Sequence, residues 1–99
     1  MIYLDDANIK IVKEILNTGT PGRKVLVFGS RVKGNIKHYS DLDLCIMGTE
    51  SLTFEVLAHL KEAFSESDLP MRVDIVEWVN ITPEFQDVIN RCYEVIQDI

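Results

Sequence analysis

Lys24-Val25-Leu26-Val27-Phe28 is a short apolar run that Gly29 stops and that the turn-forming Thr20-Pro21-Gly22 precedes. A strand with one face in water alternates polar and apolar residues. A run without alternation reads as a strand buried on both faces, and such a strand obliges the rest of the chain to cover a sheet from both sides. The remaining sequence offers that cover. Asp5 or Asp6 caps a helix whose apolar positions Ile9, Ile11, Val12, Ile15 and Leu16 follow a helical period and which ends near Asn17 and Gly19. Ser51 or Thr53 opens a second helix with Leu52, Val56, Leu57, Leu60 and Phe64 on one stripe, ending around Ser65 to Asp68. Pro83 starts a last helix, in which Phe85, Val88, Ile89, Cys92, Tyr93, Ile96 and Ile99 recur at helical spacing.

Between these helices lie two more strand signals. Leu42-Asp43-Leu44-Cys45-Ile46-Met47 forms the second strand, and Met71-Arg72-Val73-Asp74-Ile75-Val76 the third, with Val73 and Ile75 on one face and Asp74 on the other. Ser30 to Lys33 is long enough for one helical turn, with Gly34 as its C-terminal cap. The alternation of strands and helices gives an α/β (α+β) class, a small mixed β-sheet with helices packed on it, in one domain over residues 1–99. Three strands are few for a doubly wound sheet. The pattern leaves the direction of the third strand open.

A chain of 99 residues can bury a hydrophobic core but has little left for a second lobe. No apolar run approaches the roughly 20 residues that cross a bilayer, and the N-terminus reads as lacking a secretory leader. No membrane association is therefore expected, and the cytoplasm is the expected compartment. Cys45 in a buried strand and Cys92 in the last helix suggest core thiols, neither a disulfide framework nor a zinc pair. The net charge of −6 argues against stable binding of nucleic acid, since neutralising phosphates takes surplus lysine and arginine. The charge is unevenly spread. From Ile15 to Ser40 there is no acidic residue, yet Arg23, Lys24, Arg31, Lys33 and Lys37 fall there, which favours an anion-binding role for that stretch.

That stretch ends beside the chemistry. Asp41 and Asp43 stand two apart at the start of the second strand and so project to one face. Carboxylates gathered this way repel each other unless a cation lies between them, and oxygen-only ligands suit Mg²⁺ or Mn²⁺. Asp74 offers a third carboxylate from the neighbouring strand, to bridge one metal or to orient an attacking hydroxyl in a two-metal arrangement. Gly29 permits a sharp exit from the first strand and close approach of a ligand, and Ser30 presents its hydroxyl and amide at the start of a helical turn, where phosphate is attracted. Arg31 and Lys33 add countercharge. The G-x-x-x-x-G-K-[ST] pattern of a P-loop is absent. A Gly-Ser pair or a D-x-D pair alone says little; their order and spacing, with a strand aspartate following, is far rarer.

The run Gly29-Ser30-Arg31-Val32-Lys33-Gly34, followed by Ser40-Asp41-Leu42-Asp43-Leu44, resembles the signature of the minimal nucleotidyltransferase domains of the DNA polymerase beta superfamily. The resemblance covers nearly the whole chain, since Val73-Asp74-Ile75-Val76 matches the following strand of that family; Val32 stands where many members carry alanine. It implies a palm-like mixed sheet, two Mg²⁺ ions on Asp41, Asp43 and Asp74, ATP or another nucleoside triphosphate as donor, and Gly29, Ser30, Arg31 and Lys33 around the triphosphate. Such minimal domains are often found with small helical partners of the HEPN class, some as toxin and antitoxin. The resemblance thus points to transfer of AMP to a hydroxyl, a tyrosine of such a partner being one acceptor. A second reading is a binding module that neutralises the partner by complex formation alone. His38, Tyr39 and Trp78 are candidates for stacking on a base, though loop or core packing accounts for each, and surplus apolar surface on the last helix suits a dimer or partner interface.

Overall fold

The computed structural model describes residues 1–34, 36–37 and 40–98. His38, Tyr39 and Ile99, to which the sequence reading assigned roles, lie outside the described residues. Helix α1 (Asp6–Gly19) is capped by Asp5, whose side chain accepts from the Asn8 amide. The chain then passes into β1 (Val25–Phe28), the four-residue α2 (Ser30–Lys33) and β2 (Leu42–Ile46). Helix α3 (Phe54–Ser65) is opened by the Thr53 hydroxyl, and β3 (Val73–Glu77) follows. A 3-10 turn over Trp78–Asn80 leads to α4 (Pro83–Arg91), capped by Thr82 with Pro83 in its first turn.

Beyond α4 the structure departs from the sequence reading. The helical spacing from Phe85 to Ile99 does not continue as helix; α4 stops at Arg91, and Tyr93–Gln97 form a fourth strand, β4. The spacing was ambiguous there, because Tyr93-Glu94-Val95-Ile96-Gln97 is also rich in strand-forming side chains. What decides is the free edge of β1. Its unpaired amides and carbonyls are satisfied by β4, which runs antiparallel to it with Val27 opposite Glu94 and Phe28 opposite Tyr93. The sheet accordingly has four strands, in the order β3-β2-β1-β4. β1 and β2 are antiparallel, whereas β2 and β3 are parallel, which settles the direction left open and confirms a mixed sheet. α3 makes the crossover that a parallel pair needs.

The two faces are covered unequally. Val12 and Leu16 of α1 and Leu60 and Phe64 of α3 pack on Val25, Val27, Leu42, Leu44, Ile46 and Ile96, the main core. On the opposite face Leu26 and Cys45 meet Ile89 of α4, with Phe28, Met47, Val76, Trp78 and Ile81 around them. β1 is buried on both faces, as its unbroken apolar sequence requires.

Candidate active site

The alternation of β2 aims its aspartates away from the main core. Leu42, Leu44 and Ile46 point into that core, so Asp43 and Cys45 face the α4 side. Parallel pairing sets Asp43 directly opposite Asp74. Asp41, two residues before Asp43, is carried to the same side at the entrance of the strand. All three carboxylates therefore gather at one end of β2 and β3.

Gly29 joins this cluster to the turn. Its φ of 79° lies in the left-handed region, and a Cβ placed there would stand 2.4 Å from Asp43 Oδ2. The Asp43 carboxylate thus occupies the space a side chain at position 29 would fill. Close approach, anticipated for a ligand, is used here by the protein's own aspartate. Ser30 begins α2 immediately afterwards, and Gly34 ends it in the left-handed conformation, with its amide donating to the Ser30 carbonyl.

Electrostatics distinguish the aspartates. Burial raises the Asp43 carboxyl above its usual range, and the charges of Asp74 and Asp41 push the same way. Asp41 is held below the usual range, chiefly by a hydrogen bond from Arg72. One guanidinium nitrogen, Arg72 Nη2, lies 2.9 Å from Asp41 Oδ2 and 3.6 Å from Asp74 Oδ2. This arginine was not anticipated as a site residue, although its position two before Asp74 on a strand was the available signal, since residues so spaced share a face.

Arg31, anticipated as a phosphate ligand, is engaged elsewhere. It is only 7% exposed. Its Nε and Nη2 donate to the Ser40 carbonyl at 3.2 and 3.0 Å, and Nη1 donates to the Tyr3 carbonyl at 3.0 Å. The guanidinium ties α2 to the residue before Asp41 and to the N-terminal segment, whose Tyr3 amide donates back to the Arg31 carbonyl. Arg23, from the same basic stretch, likewise donates to the main-chain carbonyls of Met47 and Glu50. Lys33 and Lys37 remain exposed. Trp78 packs on the smaller core, consistent with a core residue rather than a base platform.

The residues present suit a divalent metal. Among the described residues no three His, Cys, Asp or Glu side chains form a ready-made cage, but Mg²⁺ commonly takes only one or two carboxylates and completes its shell with water and phosphate oxygens. Arg72 Nη2 already stands as a cation between Asp41 and Asp74. Hard oxygen donors sharing one positive charge form a set that Mg²⁺ or Mn²⁺ fits.

Comparison with known proteins places the chain in a family. Residues 9–98 fit the family profile described as polymerase beta, nucleotidyltransferase. The chain belongs to the polymerase beta nucleotidyltransferase family. A Haemophilus influenzae protein named probable protein adenylyltransferase MntA is 51% identical over 90 residues, a span covering 91% of this chain and 79% of that protein. Two solved structures share the fold of this nucleotidyltransferase. One, described as a toxin–antitoxin with AMP-PNP, superposes with a TM-score of 0.77 at 18% identity, over 93% of this chain and 74% of the other. The second, described as a tri-AMPylated Shewanella oneidensis HEPN toxin in complex with MNT antitoxin, gives 0.70 at 16% identity, over 97% and 74%. Among the described residues, no helix of this nucleotidyltransferase is long and apolar enough to cross a membrane.

Proposed function

We propose that this nucleotidyltransferase moves AMP from ATP to a hydroxyl of a HEPN-type partner protein, with Asp41, Asp43 and Asp74 as ligands for two Mg²⁺ ions, or Mn²⁺. The observation that carries the reading is the packing of the Asp43 carboxylate on Gly29 with Asp74 in register beside it. This makes the phosphate-accepting turn and the carboxylate cluster a single structure. Support for AMP and for a protein acceptor comes from the relative named as a protein adenylyltransferase and from the AMPylated toxin in the structural likeness.

Metal held by these aspartates would neutralise the triphosphate and favour ionisation of the attacking hydroxyl. The chain's own groups do the positioning. The backbone at Gly29-Ser30 and the Ser30 hydroxyl receive the triphosphate, and exposed Lys33 supplies countercharge. Arg31 acts through Ser40, fixing the segment that delivers Asp41. Asp74 lies on the edge strand β3, with its side chain 48% exposed, and accepts the proton of the incoming hydroxyl. The acceptor oxygen bonds to the α-phosphorus as the bond from that phosphorus to the bridging oxygen breaks, and pyrophosphate leaves.

The test is incubation of the protein with α-labelled ATP, Mg²⁺ and its HEPN-type partner. Label is expected on the partner, and Asp43→Asn is expected to lower the rate by about a thousandfold or more. Full Mg²⁺-dependent transfer by the Asn variant would sink the mechanism. Complex formation without label on either chain would favour the non-catalytic binding module.

A further inference from the structure

Arg72 is exposed over 74% of its side chain, yet its guanidinium is turned back onto the protein and held between two carboxylates. A long, solvated side chain gives up rotamer freedom to adopt one such geometry, so something must favour it. The favouring element is the carboxylate cluster itself. Asp41, Asp43 and Asp74 bring three acids to one end of two adjacent strands, and among the described residues Arg72 forms the only side-chain ion pairs with any of them. The backbone fixes where the arginine starts from, because its carbonyl accepts from the Leu42 amide and ties the entry of β3 to the entry of β2.

We infer that Arg72 is a resident counter-cation, which stands between Asp41 and Asp74 in the metal-free protein and must swing out when a divalent cation enters. The inference rests on the metal-binding reading above and adds a competitor to it. A divalent ion held by those carboxylates would need the space that the Nη2 nitrogen now fills, so the two would compete for it. Arg72 consequently weakens binding of bare metal and offsets part of the cluster's negative charge until the metal arrives with a charged nucleotide. Its exposed stem lets it leave without disturbing the core.

The experiment measures Mn²⁺ alone, without nucleotide, titrated into the full chain and followed by the loss of the free-ion electron paramagnetic resonance signal. Arg72→Gln, which keeps a polar side chain and removes charge, is expected to tighten Mn²⁺ binding about two- to fivefold, the range an exposed ion pair supports. The rise in melting temperature on adding Mn²⁺ should be larger in that variant than in the parent, and Arg72→Lys should fall between them. Unchanged or weaker Mn²⁺ binding by a folded Arg72→Gln chain, beside clear binding by the parent that Asp43→Asn removes, overturns the inference and leaves the metal site standing. Absence of Mn²⁺ binding by both parent and Arg72→Gln overturns the metal reading and the inference with it.

Discussion

The two faces of the sheet are built for different ends, and β2 shows both within five residues. Leu42, Leu44 and Ile46 lie at 0 to 1% exposure under α1 and α3. Asp43, between two of them, looks to the other face, where α4 places only Ile89 in a small core with Leu26 and Cys45. The edge-to-face contact of Phe28 with Phe85, ring centroids 5.7 Å apart, accompanies that lighter cover, and Phe85 and Val88 of α4 are themselves exposed. One face stores the stability; the lighter cover on the other leaves room for acids that repel each other. A strand can serve both because its side chains alternate.

Breaking the closed face should have the largest effect on folding. Leu44→Ala removes a fully buried side chain from the main core and is expected to cost about 2–5 kcal/mol, the range for leucine truncation in a packed interior. Urea denaturation followed by circular dichroism reads this directly. A loss well under that range would mean that α1 and α3 collapse onto the gap and that the closed face is less tightly packed than its burial indicates.

The boundary between the faces is held by Arg31, which joins α2, Ser40 and Tyr3 through three hydrogen bonds. Arg31→Ala should destabilise by about 1–3 kcal/mol, since charged donors to these half-buried carbonyls are worth more than neutral ones and the carbonyls would lose their partner. Arg31→Lys should recover little, because a single ammonium cannot span two directions as the guanidinium does. Equal stability of the Lys variant in a thermal melt would show that charge, rather than the fork geometry, is what matters at this position.

These residues also show where the sequence was legible. Gly29 and Gly34, with four residues between them, placed α2 correctly because both need positive φ, a local requirement. The caps Asp5 and Thr53, Pro83 in the first turn of α4 and the strand β1 are equally local signals. β4 was not legible: its residues fit helical spacing as well as strand, and the choice was made by the distant edge of β1. Arg31 read as a phosphate ligand because the partners that bury it, the carbonyls of Tyr3 and Ser40, are main-chain groups with no signature of their own. Within the candidate site, the gathering of Asp43 and Asp74 was legible from their positions on neighbouring strands. The union of Asp43 with Gly29 depends on the antiparallel register that sets Phe28 opposite Asp43, which no local pattern records.

The smallest expected effect, and the most telling for the open face, is a gain in stability. Because burial and the neighbouring acids raise the folded-state carboxyl of Asp43 above its ordinary value of 3.8, the native state holds its proton more firmly than the unfolded chain. Stability from this group is therefore present below about that value and is lost as pH rises through the raised folded value. Asp43→Asn, which stays neutral, should melt higher than the parent at neutral pH without divalent metal, and the difference should close as the pH falls toward 4. Asp41 works in the opposite sense, since its lowered carboxyl favours the fold above 3.8, but its position in solvent keeps that contribution small. Added Mg²⁺ should narrow the advantage of Asp43→Asn at neutral pH, because the metal supplies the positive charge that the parent cluster lacks. An Asn variant that melts lower than the parent in chelator at neutral pH would mean that Asp43 stabilises the open face, and the division between a stabilising face and a strained one would fail.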